Sequence, residues 1–183
     1  PVIWSVTSEF APIKEGGLGS VPPEIRNNAE KLGVNIPTFI PMYLNEGTST
    51  FLEENGKYIY TRGKDRFPLE KAVTFKTDVF KDGKIQTIPI EVYLYEDEGE
   101  TGERRQLVFI KTDKYFDGTI YESSAKTEEP EKFAVFSKAV YELAKLKTDG
   151  AAALKDVHIE SSDALERIKE PQGMILNDWQ ASP

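Results

Sequence analysis

Residues 2–42 carry the feature that most restricts the fold: apolar run, glycine loop, amphipathic segment, second apolar run. The first run is Val2-Ile3-Trp4-Ser5-Val6, and the loop is Lys14-Glu15-Gly16-Gly17-Leu18-Gly19-Ser20. The spacing then predicts a helix over 22–32, with Ile25, Ala29 and Leu32 on one face. Pro22 and Pro23 fit only in its first turn, where backbone N–H groups have no intrahelical partner. Gly33 suits the residue that ends it. A strand is expected over 35–42, apolar at Ile36, Phe39, Ile40 and Met42. Strand, helix, strand at this spacing is a βαβ unit, which implies a parallel pair and a right-handed crossover. The chain is therefore α/β.

The loop also has a chemistry. Three glycines let the backbone approach a ligand closely and adopt positive φ. The helix after it offers unpaired N–H groups and a partial positive charge. Lys14 adds a full charge, so a phosphate is the natural guest. The alternative is a glycine-rich turn that binds nothing, and one glycine motif does not separate the two.

From 51 to 112 the period changes to two. Val73, Phe75, Thr77 and Val79 alternate with polar neighbours, as do Ile88, Ile90, Val92 and Leu94. Asp82-Gly83 lies between them and signals a hairpin, and Asn55-Gly56 signals another turn. Pro89 places its strand at an edge or bulge. The charged run 95–105 reads as an exposed loop, followed by a strand over 104–112. The middle third is thus an antiparallel hairpin and meander region added to the parallel sheet.

A helix is predicted over 130–147, with Phe133, Phe136, Val140, Leu143 and Leu146 inward and Lys132, Lys138, Glu142 and Lys145 facing water. Asp149-Gly150 closes it. Residues 151–171 are less regular: Ser162 is placed to cap a short helix reaching Ile168, and Pro171 stops it. Met174-Ile175-Leu176 then reads as a short buried strand running into Asn177-Asp178-Trp179-Gln180.

At 183 residues the chain is expected to form one domain. A net charge of −8 lacks the basic footprint of a nucleic-acid binder. The absence of cysteine excludes disulfides and cysteine-ligated metals and fits a cytoplasmic protein. No apolar run approaches the roughly 20 residues of a membrane span, and no signal peptide pattern opens the chain. Neither nucleic acid nor membrane is an expected partner. The chain starts on Pro1 and stops on Ala181-Ser182-Pro183 with no closing element, so it is expected to be a piece of something longer.

Several blocks, in order, carry a resemblance. They are Ser8-Glu9-Phe10-Ala11-Pro12-Ile13 continuing into the Lys14–Ser20 loop; Leu107-Val108-Phe109-Ile110 followed by Lys114-Tyr115-Phe116-Asp117-Gly118 and Tyr121; Phe133-Ala134-Val135-Phe136-Ser137; and Leu176-Asn177-Asp178-Trp179-Gln180. Together they resemble the bacterial glycogen synthase and plant starch synthase family. The resemblance implies a GT-B glycosyltransferase built of two Rossmann-like halves facing one another across a cleft. Residues 1–183 would be a single truncated N-terminal half, with the C-terminal donor-binding half absent. The implied reaction is retaining transfer of glucose from ADP-glucose or UDP-glucose to the non-reducing end of an α-1,4-glucan. It implies no metal and no cofactor beyond the sugar nucleotide. Because the family's strand-end histidine motif and its donor-domain cations lie outside this chain, the piece alone is expected to be inactive.

By the same resemblance, Lys14, the amides of Gly16 and Gly17, and Ser20 contact the donor. Glu9, Asp178, Trp179 and Gln180 line the acceptor side of the cleft. Three positions depart from the family: Ser20 stands where aspartate is usual, and Gln180 and Ile175 stand where histidines are common. Each residue has a plainer alternative. Asp178 and Trp179 also suit a helix cap and a core aromatic, and Glu9 an exposed loop carboxylate. Tyr58, Tyr60, Tyr93 and Tyr95 make either a sugar-stacking face or ordinary strand packing. His158 matches no motif and reads as a surface or satisfied histidine. A non-catalytic glucan-binding or regulatory relative, which the Ser20 and Gln180 departures favour, and an unrelated α/β domain remain open beside the enzyme.

Overall fold

The computed structural model describes residues 1–10, 13, 18–44, 48–99, 102–112 and 129–177. Among these, nine strands form one mixed sheet. Its parallel half consists of β1 (Ile3–Thr7), β2 (Thr38–Pro41), β7 (Arg104–Lys111) and β9 (Gly173–Asn177), in the order β7-β2-β1-β9. Ser5 pairs with Thr38, Pro41 with Ile110 and Thr7 with Asn177, all in parallel register. The C-terminal ends of all four strands therefore lie along one rim. Strands covered on both faces need apolar residues at every position, which explains why Leu107, Val108, Phe109 and Ile110 are all buried.

The antiparallel half runs β3 (Ser49–Glu54), β4 (Lys57–Arg62), β5 (Asp65–Lys81), β6 (Lys84–Glu98) and joins β7. Both predicted tight turns are present. Asn55 and Gly56 have φ of 53° and 77°, and Asp82 and Gly83 have 52° and 75°. Positive φ at both central residues is the geometry that matches strand twist in a two-residue hairpin. Pro89 sits on β6 beyond the reach of β7, which pairs no further than Lys111 opposite Glu91, so the expected edge position is met.

Three helices complete the described fold: α1 (Val21–Glu30), α2 (Glu129–Asp149) and α3 (Ser162–Arg167). The α2 stripe of Phe136, Val140, Leu143 and Leu146 packs with Trp4, Val6, Phe39, Phe75, Val92, Val108 and Ile110 into the larger core. On the opposite face the sheet coils back on itself. Tyr60 of β4 lies 5.1 Å from Phe109 of β7, and both join Phe10, Ile13, Ile40, Met42, Tyr43 and Tyr93 in a second core.

Several expectations are corrected. The first helix ends two residues early and leaves Leu32 82% exposed. Leu32 and Val34 both donate to the Ala29 carbonyl, and the chain turns away through Gly33 at φ 74°. The charged run 95–105 is mostly strand, because Glu96, Asp97 and Glu98 stand opposite Gln106, Arg105 and Arg104. Opposite charges across a ladder support pairing. Ser161, not Ser162, caps α3, accepting from the Ala164 N–H at 3.1 Å. An unexpected strand, β8 (Lys155–Ile159), pairs with the second half of β5. It has little apolar signal, since only Val157 packs on the core. Lys132, expected in water, is 3% exposed.

The last strand is present but not buried. Among the described residues β9 pairs only with β1, and Met174 is 38% exposed and Leu176 45%. Together with Tyr141 of α2 they flank an apolar groove of about 440 Å³, which also touches Val6, Ala134 and Val140. An open apolar edge strand is a template for pairing. The 183-residue chain is expected to self-associate at high concentration, and Leu176→Lys to shift it towards monomer in sedimentation velocity. An unchanged distribution would remove β9 as the cause.

Candidate functional site at the parallel strand ends

The rim is built from the residues that succeed each parallel strand. After β1 come Ser8, Glu9 and Phe10, all buried. The Thr7 hydroxyl donates to the Glu9 carbonyl at 2.7 Å, and Phe10 and Ile13 exchange backbone hydrogen bonds at 2.9 and 2.6 Å. The chain thus doubles back immediately after β1. It is next described at a 3-10 turn, Leu18–Ser20, which leads directly into α1. Gly19 is buried there. Ser20 is exposed at the helix start, and its side chain makes no capping hydrogen bond. The Arg26 guanidinium of α1 stacks 4.9 Å over the Phe10 ring and ties helix to loop. Burial, then the like charge of Arg105, lowers the Arg26 pKa from its ordinary value.

After β2 stands Tyr43, fully buried. Its phenol donates to the Ser8 carbonyl at 2.8 Å, and its own carbonyl accepts from the Tyr60 phenol at 2.6 Å. Two cations face its ring: Lys132 of α2 at 5.3 Å and Arg62 of β4 at 6.0 Å. At the end of β9, Asn177 donates to the Ser5 hydroxyl at 2.8 Å and the Val6 carbonyl at 3.2 Å, which locks β9 onto β1.

At the end of β7, Lys111 pairs with Glu91 at 2.9 Å, Lys71 reaches the other carboxylate oxygen at 3.1 Å, and the Tyr93 phenol donates to that same oxygen at 3.0 Å. Burial disfavours the Glu91 charge, but the two ammonium groups outweigh it and hold its pKa below the ordinary 4.5. Burial, then Glu91, pushes the Tyr93 phenol up. A depressed carboxyl stabilises the fold above its unfolded pKa and loses that contribution as pH falls through the folded value. Stability should therefore fall below about pH 4.5, and Glu91→Gln should flatten that limb. Urea midpoints between about pH 6 and pH 2.5 check this, and parallel profiles for the two proteins would refute it.

The sequence-predicted residues divide sharply. Ser20 is exposed at the start of α1, and Glu9 follows β1 fully buried rather than as an exposed loop carboxylate. Lys14, Gly16, Gly17, Asp178, Trp179 and Gln180 lie outside the described residues, as does the Lys114–Tyr121 block. Their flanks are described. Thr7 opposite Asn177 puts the departures of the Ser8–Glu9 and Asp178–Gln180 segments at neighbouring strand ends. Of the four tyrosines, Tyr60 and Tyr93 are buried in the second core, and Tyr58 and Tyr95 pack against it, so they serve packing. His158 is exposed on β8, 3.6 Å from Glu160. Sequence reasoning missed Tyr43, Arg62 and Lys132. The only signal for Tyr43 was an aromatic immediately after an apolar parallel strand.

A parallel sheet whose strand ends share one rim, left by a glycine loop that enters a helix, defines an α/β domain of the kind that binds ligands at that rim. The chain belongs to the family described as the starch synthase catalytic domain, which matches residues 2–183. Among solved structures it is similar to the catalytic domain of starch synthase IV from Arabidopsis thaliana, bound to ADP and acarbose. The TM-score is 0.51 at 21% identity, over 81% of this chain and 25% of that one. This chain thus spans about a quarter of that relative's length. Comparison with curated proteins gave no match.

Proposed function

We propose that this chain is the acceptor-side part of a retaining GT-B glucosyltransferase that moves glucose from ADP-glucose or UDP-glucose to the non-reducing end of an α-1,4-glucan. The observation that carries the reading is the register Thr7 to Asn177, by which the segment leading to the lysine–glycine loop and the Asp178–Gln180 segment leave adjacent strand ends. Glucosyl transfer builds negative charge on the departing diphosphate and positive charge on the sugar ring. A lysine and backbone N–H groups in a preorganised, water-poor cleft stabilise the former best. Lys14 with the amides of Gly16 and Gly17 takes that role, Ser20 adds a polar contact at the helix start, and Glu9, Asp178, Trp179 and Gln180 face the glucan. No metal or other cofactor enters this scheme, and the reducing cytoplasm suits a cysteine-free chain. The opposite wall of the cleft, with the donor's base, belongs to a second half, so this piece binds the donor weakly and does not turn over.

The solved relative was bound to ADP and acarbose, a pairing that supports a nucleotide and an oligosaccharide as the two ligands. Calorimetric titration of the chain with maltoheptaose and with ADP-glucose or UDP-glucose tests the proposal, with the Lys14 variant considered in the Discussion as its control. Silence towards all of these ligands would overturn it. Ser20 and Gln180, where the family usually has aspartate and histidine, favour a second reading as a non-catalytic glucan-binding relative. Glucan binding without sugar-nucleotide binding would select that one.

A further inference from the structure

We propose that the cavity between α1 and the start of β7 is a second anion site, which takes inorganic phosphate or the phosphate of a hydroxyl-bearing monoester. Phe10 borders it on the rim side, whereas Arg105 is the second residue of β7, whose other end forms the rim. The cavity measures about 270 Å³, and its polar lining is Arg26, Arg66, Arg105, Gln106, Asp65 and Asp97. Two guanidiniums meet one carboxylate in its wall. Glu30 takes Arg105 through bonds of 2.9, 3.3 and 2.9 Å. The Arg26 Nε stands 3.9 Å from Glu30 and is buried without a hydrogen-bond acceptor among the described residues. The two arginine side chains are only 13% and 16% exposed, while Asp97 is exposed and its charge is screened by water. Burial, then the like charge of Arg105, lowers the Arg26 pKa, and an anion bound between the two offsets both. Arg105 has room made for it: a Cβ on Gly99 would stand 2.7 Å from its Nε. Planar guanidiniums present paired donors that match phosphate oxygens.

Gln106 narrows the choice of anion. Its amide N–H groups donate to Glu96 at 3.2 Å and to the Arg167 carbonyl at 2.7 Å. Its own carbonyl oxygen is buried and has no partner among the described residues. An acceptor left in a cavity wall calls for a hydroxyl on the ligand. Hydrogenphosphate carries one at neutral pH, as does the organic part of a polyol phosphate, and sulfate carries none.

Calorimetric titration of the 183-residue chain with inorganic phosphate, glycerol 3-phosphate and sulfate tests the site. Both phosphates are expected to bind, and sulfate more weakly. Arg26→Gln should weaken phosphate binding by about tenfold or more, the factor that a hydrogen bond to a charged group corresponds to. Asp97→Asn removes a carboxylate from the same cavity and should strengthen binding by about two- to fivefold. Because unfolding cannot raise affinity, the second variant decides the matter if the first fails to fold. Lys14→Ala should leave phosphate binding here unchanged, which separates this site from the proposed donor loop. Equal affinity for the two phosphates identifies inorganic phosphate as the occupant, and tighter glycerol 3-phosphate identifies a phosphorylated polyol; either upholds the site. No binding of either phosphate, sulfate bound as tightly as phosphate, or binding lost in Lys14→Ala and kept in Arg26→Gln overturns it.

Discussion

Lys14→Ala is expected to lower sugar-nucleotide binding in the 183-residue chain below detection, and to reduce glucosyl transfer by the parent protein by about 100-fold or more. The magnitude reflects what a preorganised cationic group supplies to a developing diphosphate charge in a site from which water is excluded, roughly 3 kcal/mol for a single donor. The two flanks of the loop are fixed. On one side Phe10 and Ile13 are bridged and buried; on the other, buried Gly19 leads through a 3-10 turn into α1. Glucan binding should survive the substitution, because the proposed function assigns the acceptor to other residues. Lys14→Arg should restore part of the donor affinity but not the rate, since a planar fork does not replace a compact ammonium. Steady-state rates in the parent and titration of the chain decide the matter. A Lys14→Ala protein with undiminished donor affinity would end the phosphate assignment.

Trp4→Ala should cost about 3–5 kcal/mol of folding stability, a large share of the roughly 5–15 kcal/mol that a domain possesses. Trp4 is completely buried on β1, between β2 and β9, its ring 4.3 Å from that of Phe39. Its indole N–H donates to the Lys169 carbonyl at 2.8 Å, which fastens the segment between α3 and β9 to β1. Alanine would therefore open a cavity and leave a carbonyl short of its partner. Trp4→Phe separates the two effects: it keeps most of the apolar area and loses the hydrogen bond, at a cost of about 1–2 kcal/mol. Urea unfolding monitored by far-ultraviolet circular dichroism gives both numbers. A loss under about 1 kcal/mol for alanine would mean that the core over β1 tolerates a void.

Much of the architecture was legible because it is written in short-range patterns. The alternation at Val73–Val79 and Ile88–Leu94 became a hairpin turned by Asp82-Gly83. The continuous run Leu107–Ile110 became a strand covered on both faces. At two positions what misled was a judgement of surroundings. Lys132 lies outside the apolar stripe of α2 and belongs in water by periodicity alone, yet the Tyr43 and Phe133 rings cover it. Met174 and Leu176 form an apolar run that suggests burial, yet among the described residues β9 has a neighbour strand on one side only.

The amino-acid order alone determined the α/β class, the glycine loop between the first strand and the first helix, the two tight hairpins and the long amphipathic helix. Each depends on residues within one turn or one strand of each other, where sterics and periodicity act directly. The tertiary structure alone decided that Glu9 is buried, that Tyr43 holds Ser8, that Lys71 and Lys111 share Glu91, and that β8 pairs with β5. Those facts join segments tens of residues apart. Contacts of that range are set by how the sheet coils and which strands become neighbours, and no local pattern encodes them.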